Sequence, residues 1–155
     1  MPNALHGQDA IAAVSQLEGR ELSPKEQRVV MLEGFVPEVY EDTKGIKTYG
    51  VGQTGKWINK TFGESFAHHE DRTRKHIKNY DKLPEWLQAE LVQAEYRGDL
   101  GMSPTFRKLF NAGKYKQAAS EFLDHAEYKD PNTPDQIKGR LESVAKAVAQ
   151  FAASK

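Results

Sequence analysis

Three residues could do hydrolytic chemistry together: Glu33, Asp42 and Thr48. Eight residues separate the glutamate from the aspartate, and five separate the aspartate from the threonine. The stretch around them, Met31 to Gly55, reads MLEGFVPEVYEDTKGIKTYGVGQTG. Its pattern predicts Glu33 in the last turn of a helix stopped by Gly34. Val36-Pro37 then leads into a short strand, Val39-Tyr40-Glu41. Asp42-Thr43-Lys44-Gly45 reads as a tight turn, because Asp and Thr can bond their own backbone and Gly supplies positive φ. A returning strand, Ile46 to Tyr49, carries Thr48. A hairpin folded back over the helix end brings all three residues to one cleft. The negative pole of the helix dipole disfavours a charged carboxylate at Glu33. Partial burial by Leu32 and Phe35 pushes the same way, which suits a proton donor. Asp42, in a polar turn with backbone donors, is expected to stay ionised. Two carboxylates in unlike environments form an acid/base pair of the glycosidase kind. Spacing alone leaves a plainer alternative open, a solvated helix-end glutamate and an ordinary turn aspartate, since acids near turns are common.

Gly50 and Gly52 flank Val51, so one face of the returning strand is almost bare. Bare backbone beside acidic residues suits the close approach of a polymeric ligand, and makes Gly50 and Gly52 candidate substrate contacts.

The elements that must position these groups are marked by local signals. Ser23-Pro24-Lys25-Glu26 is a helix start: Ser as N-cap, Pro in the first position, Glu closing a capping box. That helix carries Val29, Val30 and Leu32 and delivers Glu33. Before it, Asp9 to Leu17 forms a short amphipathic helix ended by Gly19. After the hairpin, Lys56 to Lys60 closes a small β lobe with Trp57 and Ile58 as expected core. Thr61-Phe62-Gly63-Glu64, another capping box, opens a long helix to about Tyr80, polar all round, which reads as a bridge between lobes. The remainder reads all helical: Pro84 to Tyr96, Ser103-Pro104 to Gly113, Tyr115 to His125, a loop over Tyr128 to Asn132, and a last helix capped by Thr133-Pro134 and running past Phe151. Large apolar groups at helical spacing are usually buried, so the aromatics here read mostly as core.

Composition narrows the function classes. The 155 residues hold 22 Lys plus Arg and 22 Asp plus Glu. That balance argues against a dedicated nucleic-acid binder. There is no cysteine, hence no disulfide framework and no thiolate metal site. His68-His69-Glu70-Asp71 could suggest metal ligands, but neighbours on a helix point about 100° apart and no i, i+4 histidine pair occurs. It reads as a solvated helix face, and no metal or cofactor is expected. No apolar run is long enough for a membrane span, and no charged start with a hydrophobic core marks a signal peptide.

Taken together, Glu33-Gly34, Tyr40-Glu41-Asp42-Thr43-Lys44-Gly45 and Thr48-Tyr49-Gly50-Val51-Gly52 resemble the active-site signature of the phage-type muramidases, the T-even-like lysozymes of glycoside hydrolase family 24. The match is without a gap within residues 31–55, and weaker likeness runs from Ser23 to Phe151. The resemblance implies an α+β fold, mostly α, with a small β-hairpin lobe (about 35–60), an inter-lobe helix (about 61–80) and a larger helical lobe (about 83–153). Residues 1–22 would be an N-terminal extension to a catalytic domain over 23–155. It implies cleavage of the β-1,4 bond between N-acetylmuramic acid and N-acetylglucosamine, with Glu33 as acid and Asp42 and Thr48 holding a water. Alternatives are a lytic transglycosylase acting on the same bond, and a wall-binding virion module that no longer cleaves. Tyr96 and Arg97 would face the sugar, although the family carries an N-x-G-like or F-Q-like stretch where this chain has Tyr96-Arg97-Gly98-Asp99. Gln53 stands where many members have histidine, and Gln136 to Arg140 resembles a degraded form of the family's arginine-bearing helix start. The expected partner is the peptidoglycan glycan strand, met by a monomer without stable membrane insertion. Synthesis in a host cytoplasm and action in the periplasm would then call for a holin, or for delivery inside a virion.

Overall fold

A computed structural model describes residues 3–155, so the first two residues of the expected extension lie outside the described residues. The fold class is α+β and mostly α, as expected. The chain divides into two compact units between His69 and Glu70.

In the first unit, helix α1 (Gly7–Glu18) packs on helix α2 (Pro24–Glu33). Helix α2 starts as its sequence dictates. Ser23 Oγ accepts from the Glu26 N–H at 3.2 Å, and the Glu26 carboxylate accepts from the Ser23 N–H at 2.9 Å. Arg20 donates to both oxygens of the same carboxylate, at 2.8 and 2.6 Å. Burial alone would raise the Glu26 carboxyl, but the Arg20 guanidinium and the Ser23 backbone outweigh it and hold the group below its ordinary value. The sheet is antiparallel in the order β1 (Val36–Glu41), β2 (Lys47–Gly50), β3 (Gln53–Thr54), so a short third strand joins the expected hairpin. Pro37 is tolerated because β1 is an edge strand whose register shifts between Val36 and Tyr40. Trp57 and Ile58, expected as core, are only half-buried in a 3-10 turn, Gly55–Asn59.

Helix α3 (Phe62–His76) opens on the expected capping box: Glu64 N–H donates to Thr61 Oγ1 at 3.0 Å and Thr61 N–H to Glu64 Oε1 at 3.3 Å. It is not polar all round, because Phe62, Ser65, Phe66 and Thr73 are buried along one stripe. Nor are its histidines a solvated face. His68 lies against the Trp57 ring with centroids 4.7 Å apart, and His69 Nδ1 is 2.7 Å from the Ser65 carbonyl.

The second unit is helical, with α4 (Glu85–Tyr96), α5 (Pro104–Asn111), α6 (Tyr115–Phe122), the single turn α7 (Ala126–Lys129) and α8 (Asp135–Ala153). Helix α3 ends four residues earlier than expected. The Asn111 side chain donates to the His76 carbonyl at 2.9 Å and accepts from the Lys78 N–H at 2.9 Å, while Asn79 turns to φ 60°. The α7 turn occupies part of the expected loop, and Thr133 does not cap α8: its hydroxyl donates to the Glu127 carbonyl at 2.6 Å. Trp86, read as core, is 43% exposed. Arg140 is buried one and a half turns into α8 and serves this unit's packing. Its Nε donates to Gln93 Oε1 at 3.1 Å, and Gln93 Nε2 returns a bond to the Arg140 carbonyl at 3.2 Å.

A histidine beside a buried carboxylate in this unit makes stability depend on pH. Glu95 Oε1 accepts from Arg72 Nε at 3.1 Å, but Oε2 has no hydrogen-bond partner among the described residues, and His76 Nε2 stays 3.6 Å away. Burial pushes His76 below its ordinary value of 6.5; Arg107 and Arg72 push the same way and Glu95 opposes them. The unfolded chain therefore binds the His76 proton more readily than the folded one, and stability falls as pH drops below about 6.5 toward the lowered folded-state value. Urea midpoints at pH 7 and pH 5 should differ more for the wild type than for His76→Gln. Equal differences would remove His76 from this account.

Candidate active site

Glu33 is the last residue of α2 and is half-buried. The chain turns immediately after it at Gly34, whose φ of 76° and ψ of −177° end the helix while its N–H still donates to the Val30 carbonyl. A Cβ at Gly34 would lie 3.0 Å from the Leu5 carbonyl and 3.3 Å from the His6 ring, so only glycine fits without displacing the N-terminal segment. That segment pins the exit of the turn. Leu5 and Phe35 exchange backbone hydrogen bonds of 2.8 and 3.0 Å. Glu33 is thus fixed between a helix end and a two-bond backbone clamp.

Asp42 follows β1 and organises its own turn. Its Oδ1 accepts from the Lys44 N–H at 2.8 Å and the Ile46 N–H at 2.9 Å, while its N–H donates to the Ile46 carbonyl at 2.9 Å. Oδ2 has no hydrogen-bond partner among the described residues. One oxygen therefore holds the carboxylate rigidly, and the other is left to accept from a ligand or water. Thr48 is 5% exposed on β2, and its hydroxyl donates to the Ile46 carbonyl at 3.0 Å. That proton is used, so Thr48 Oγ1 can offer a lone pair to a water.

Tyr40 links these groups. It is the β1 partner of Thr48, so the two side chains lie on one side of the sheet. Asp42 follows two residues further on, just past the end of β1. The phenol is raised above its ordinary value, first by burial and then by the negative charges of Glu33 and of Asp42. The two carboxylates thus act on one half-buried hydroxyl. Sequence reading placed Tyr40 inside the motif but gave it no role. Its place two residues before Asp42 was the available signal.

The glycines have a structural reason of their own. Gly50 is buried with φ 66°, and a Cβ there would come within 2.7 Å of Gln53 Oε1. The bare face of the strand is filled by that side chain. Gln53 Oε1 accepts from the Val51 N–H at 3.2 Å, and its Nε2 donates to the carbonyls of Trp57 at 2.9 Å and Lys60 at 3.0 Å. Gln53 therefore ties the 3-10 turn to the sheet. Gly52 is half-buried with φ 60°.

In the second unit, Tyr96 ends α4 half-buried. The Arg97 guanidinium is bonded to Asp99 at 3.3 and 3.2 Å and to Glu127 at 3.0 Å. Burial raises the Asp99 carboxyl although Arg97 pulls the other way.

No protein-family model matches the chain, and no curated protein matches it. Among solved structures, a crystal structure of the active form of the P1 phage endolysin Lyz aligns with a TM-score of 0.66 over 96% of this chain and 96% of that one. The fold is that of a phage endolysin. Sequence identity is 13%, so the likeness concerns architecture. Among the described residues no helix is long and apolar enough to cross a membrane.

Proposed function

We propose that this protein is a peptidoglycan hydrolase that cleaves the β-1,4 bond between N-acetylmuramic acid and N-acetylglucosamine. The observation that carries the reading is the Asp42 turn, which fixes one carboxylate oxygen on the Lys44 and Ile46 N–H groups and leaves the other to accept, in the same short stretch as half-buried Glu33 and the buried Thr48. The phage-endolysin fold supports the same class of substrate. Glu33 gives its proton to the oxygen of the leaving sugar. Asp42 Oδ2 and Thr48 Oγ1 hold a water, and Asp42 takes its proton as the remaining hydroxide bonds to the anomeric carbon. The bond breaks with water added across it, and attack from the face opposite the leaving group inverts the anomeric carbon. No cofactor enters this scheme. A monomer is sufficient for it, since the acid, the base and the water-holding hydroxyl come from one stretch of one chain.

A lytic transglycosylase would need no group to activate water, because the muramic acid's own 6-hydroxyl attacks and leaves an anhydro sugar. The unpartnered oxygen of Asp42 argues for hydrolysis. Mass spectrometry of fragments from purified peptidoglycan separates the two. Reducing muramic acid ends are expected, and 1,6-anhydro ends would replace this reading with the transglycosylase. Intact wall after prolonged incubation would leave a wall-binding module.

A further inference from the structure

The geometry points to Tyr40 as a further substrate-contacting residue: its hydroxyl donates to an acceptor oxygen of the bound glycan at the cleavage point, beside Thr48. This rests on the reading of those two carboxylates given above. Three observations carry it. Tyr40 is paired with Thr48 across β1 and β2, which sets its ring beside the hydroxyl assigned to the water. Asp42 lies two residues beyond Tyr40, in the turn that closes the hairpin, with its Oδ1 held by the Lys44 and Ile46 N–H groups. The phenol makes no hydrogen bond to any described residue, although both carboxylates act on it.

The site needs such a donor. In the proposed scheme Asp42 accepts the water's proton, and Glu33 spends its own on the leaving oxygen. Thr48 already donates to the Ile46 carbonyl. A glycan presents ring, hydroxyl and acetamido oxygens, which are acceptors as well as donors. Burial above all holds the phenol above its ordinary value of 10.0, so the hydroxyl stays a donor through the neutral range. A neutral donor also suits a place near two carboxylates, where a cation would neutralise the acid/base pair it serves.

Tyr40→Phe keeps the ring and removes only this donor. The expected result is an unchanged melting temperature, kcat on peptidoglycan lowered roughly tenfold, and KM little changed, as for a hydrogen bond that strengthens in the transition state. Independently of activity, the phenol can be titrated through a carbon-13 label at Tyr40 Cζ. Glu33→Gln and Asp42→Asn should each bring its titration down toward the ordinary tyrosine value. Wild-type kcat in Tyr40→Phe, or a titration unmoved by both carboxylate variants, overturns the inference. If the wild type cleaves no wall, the hydrolase reading fails by itself. The labelled carbon is then followed against an N-acetylglucosamine oligomer, where a shift upholds the contact and an unmoved resonance at saturation ends it.

Discussion

Glu33→Gln should give a folded protein that no longer clears purified cell wall. Glutamine matches glutamate in size and in helix propensity, so α2 still ends where Gly34 turns the chain and donates to the Val30 carbonyl. The backbone clamp between Leu5 and Phe35 does not involve the replaced side chain. What disappears is the transferable proton. A positioned general acid typically contributes about 10²- to 10⁴-fold in rate. The expected turbidity loss is therefore reduced by that order, with the thermal melt unchanged. Binding of wall fragments should survive, because an amide still offers an acceptor and a donor to a sugar. Clearing at the wild-type rate by Glu33→Gln would sink the assignment. A collapsed melt would instead show that the carboxylate is structural.

Sequence reading works where the cause of a structure is local. Ser23, Pro24 and Glu26 define the start of α2, because a capping box closes within three residues. Gly34 ends it because a left-handed φ is needed there. Asp42 builds its own turn through bonds to residues two and four positions on. These short-range facts place Glu33 and Asp42, and they are why the candidate site was legible at all. Elsewhere the deciding partner is far away in the chain. Helix α3 stops at His76 because the Asn111 carboxamide, 35 residues later, takes over its last carbonyl. Thr133 looks like an N-cap but spends its hydroxyl on Glu127. Gly50 reads as room for a ligand until Gln53 is seen to fill the space. Arg97 is expected to face the sugar, and its bonds to Asp99 and Glu127 could not be read from its neighbours in sequence. The proposed role of Tyr40 comes from its pairing with Thr48 across the hairpin, which no property of tyrosine within the motif announces.

Asp42→Asn should lower kcat by about a hundredfold while leaving KM nearly unchanged. The two carboxylate oxygens have separate jobs, and asparagine divides them. Its Oδ1 can still accept from the Lys44 and Ile46 N–H groups, so the turn and the strand register survive. Its Nδ2, standing where Oδ2 was, donates instead of accepting and cannot take a proton from water. The loss thus falls on the step in which the water becomes a nucleophile, and an interaction made only there appears in kcat. Asp42→Ala is the informative contrast. It removes the turn's acceptor as well, so it should lower the melting temperature in addition to activity. Thr48→Ala, which removes one holder of the water but no base, should cost less than Asp42→Asn. Steady-state kinetics on solubilised glycan strands, with melts on the same preparations, separate these outcomes. If Asp42→Asn kept full kcat, the water would have to be activated by another group, and Asp42 would be only the residue that shapes the turn.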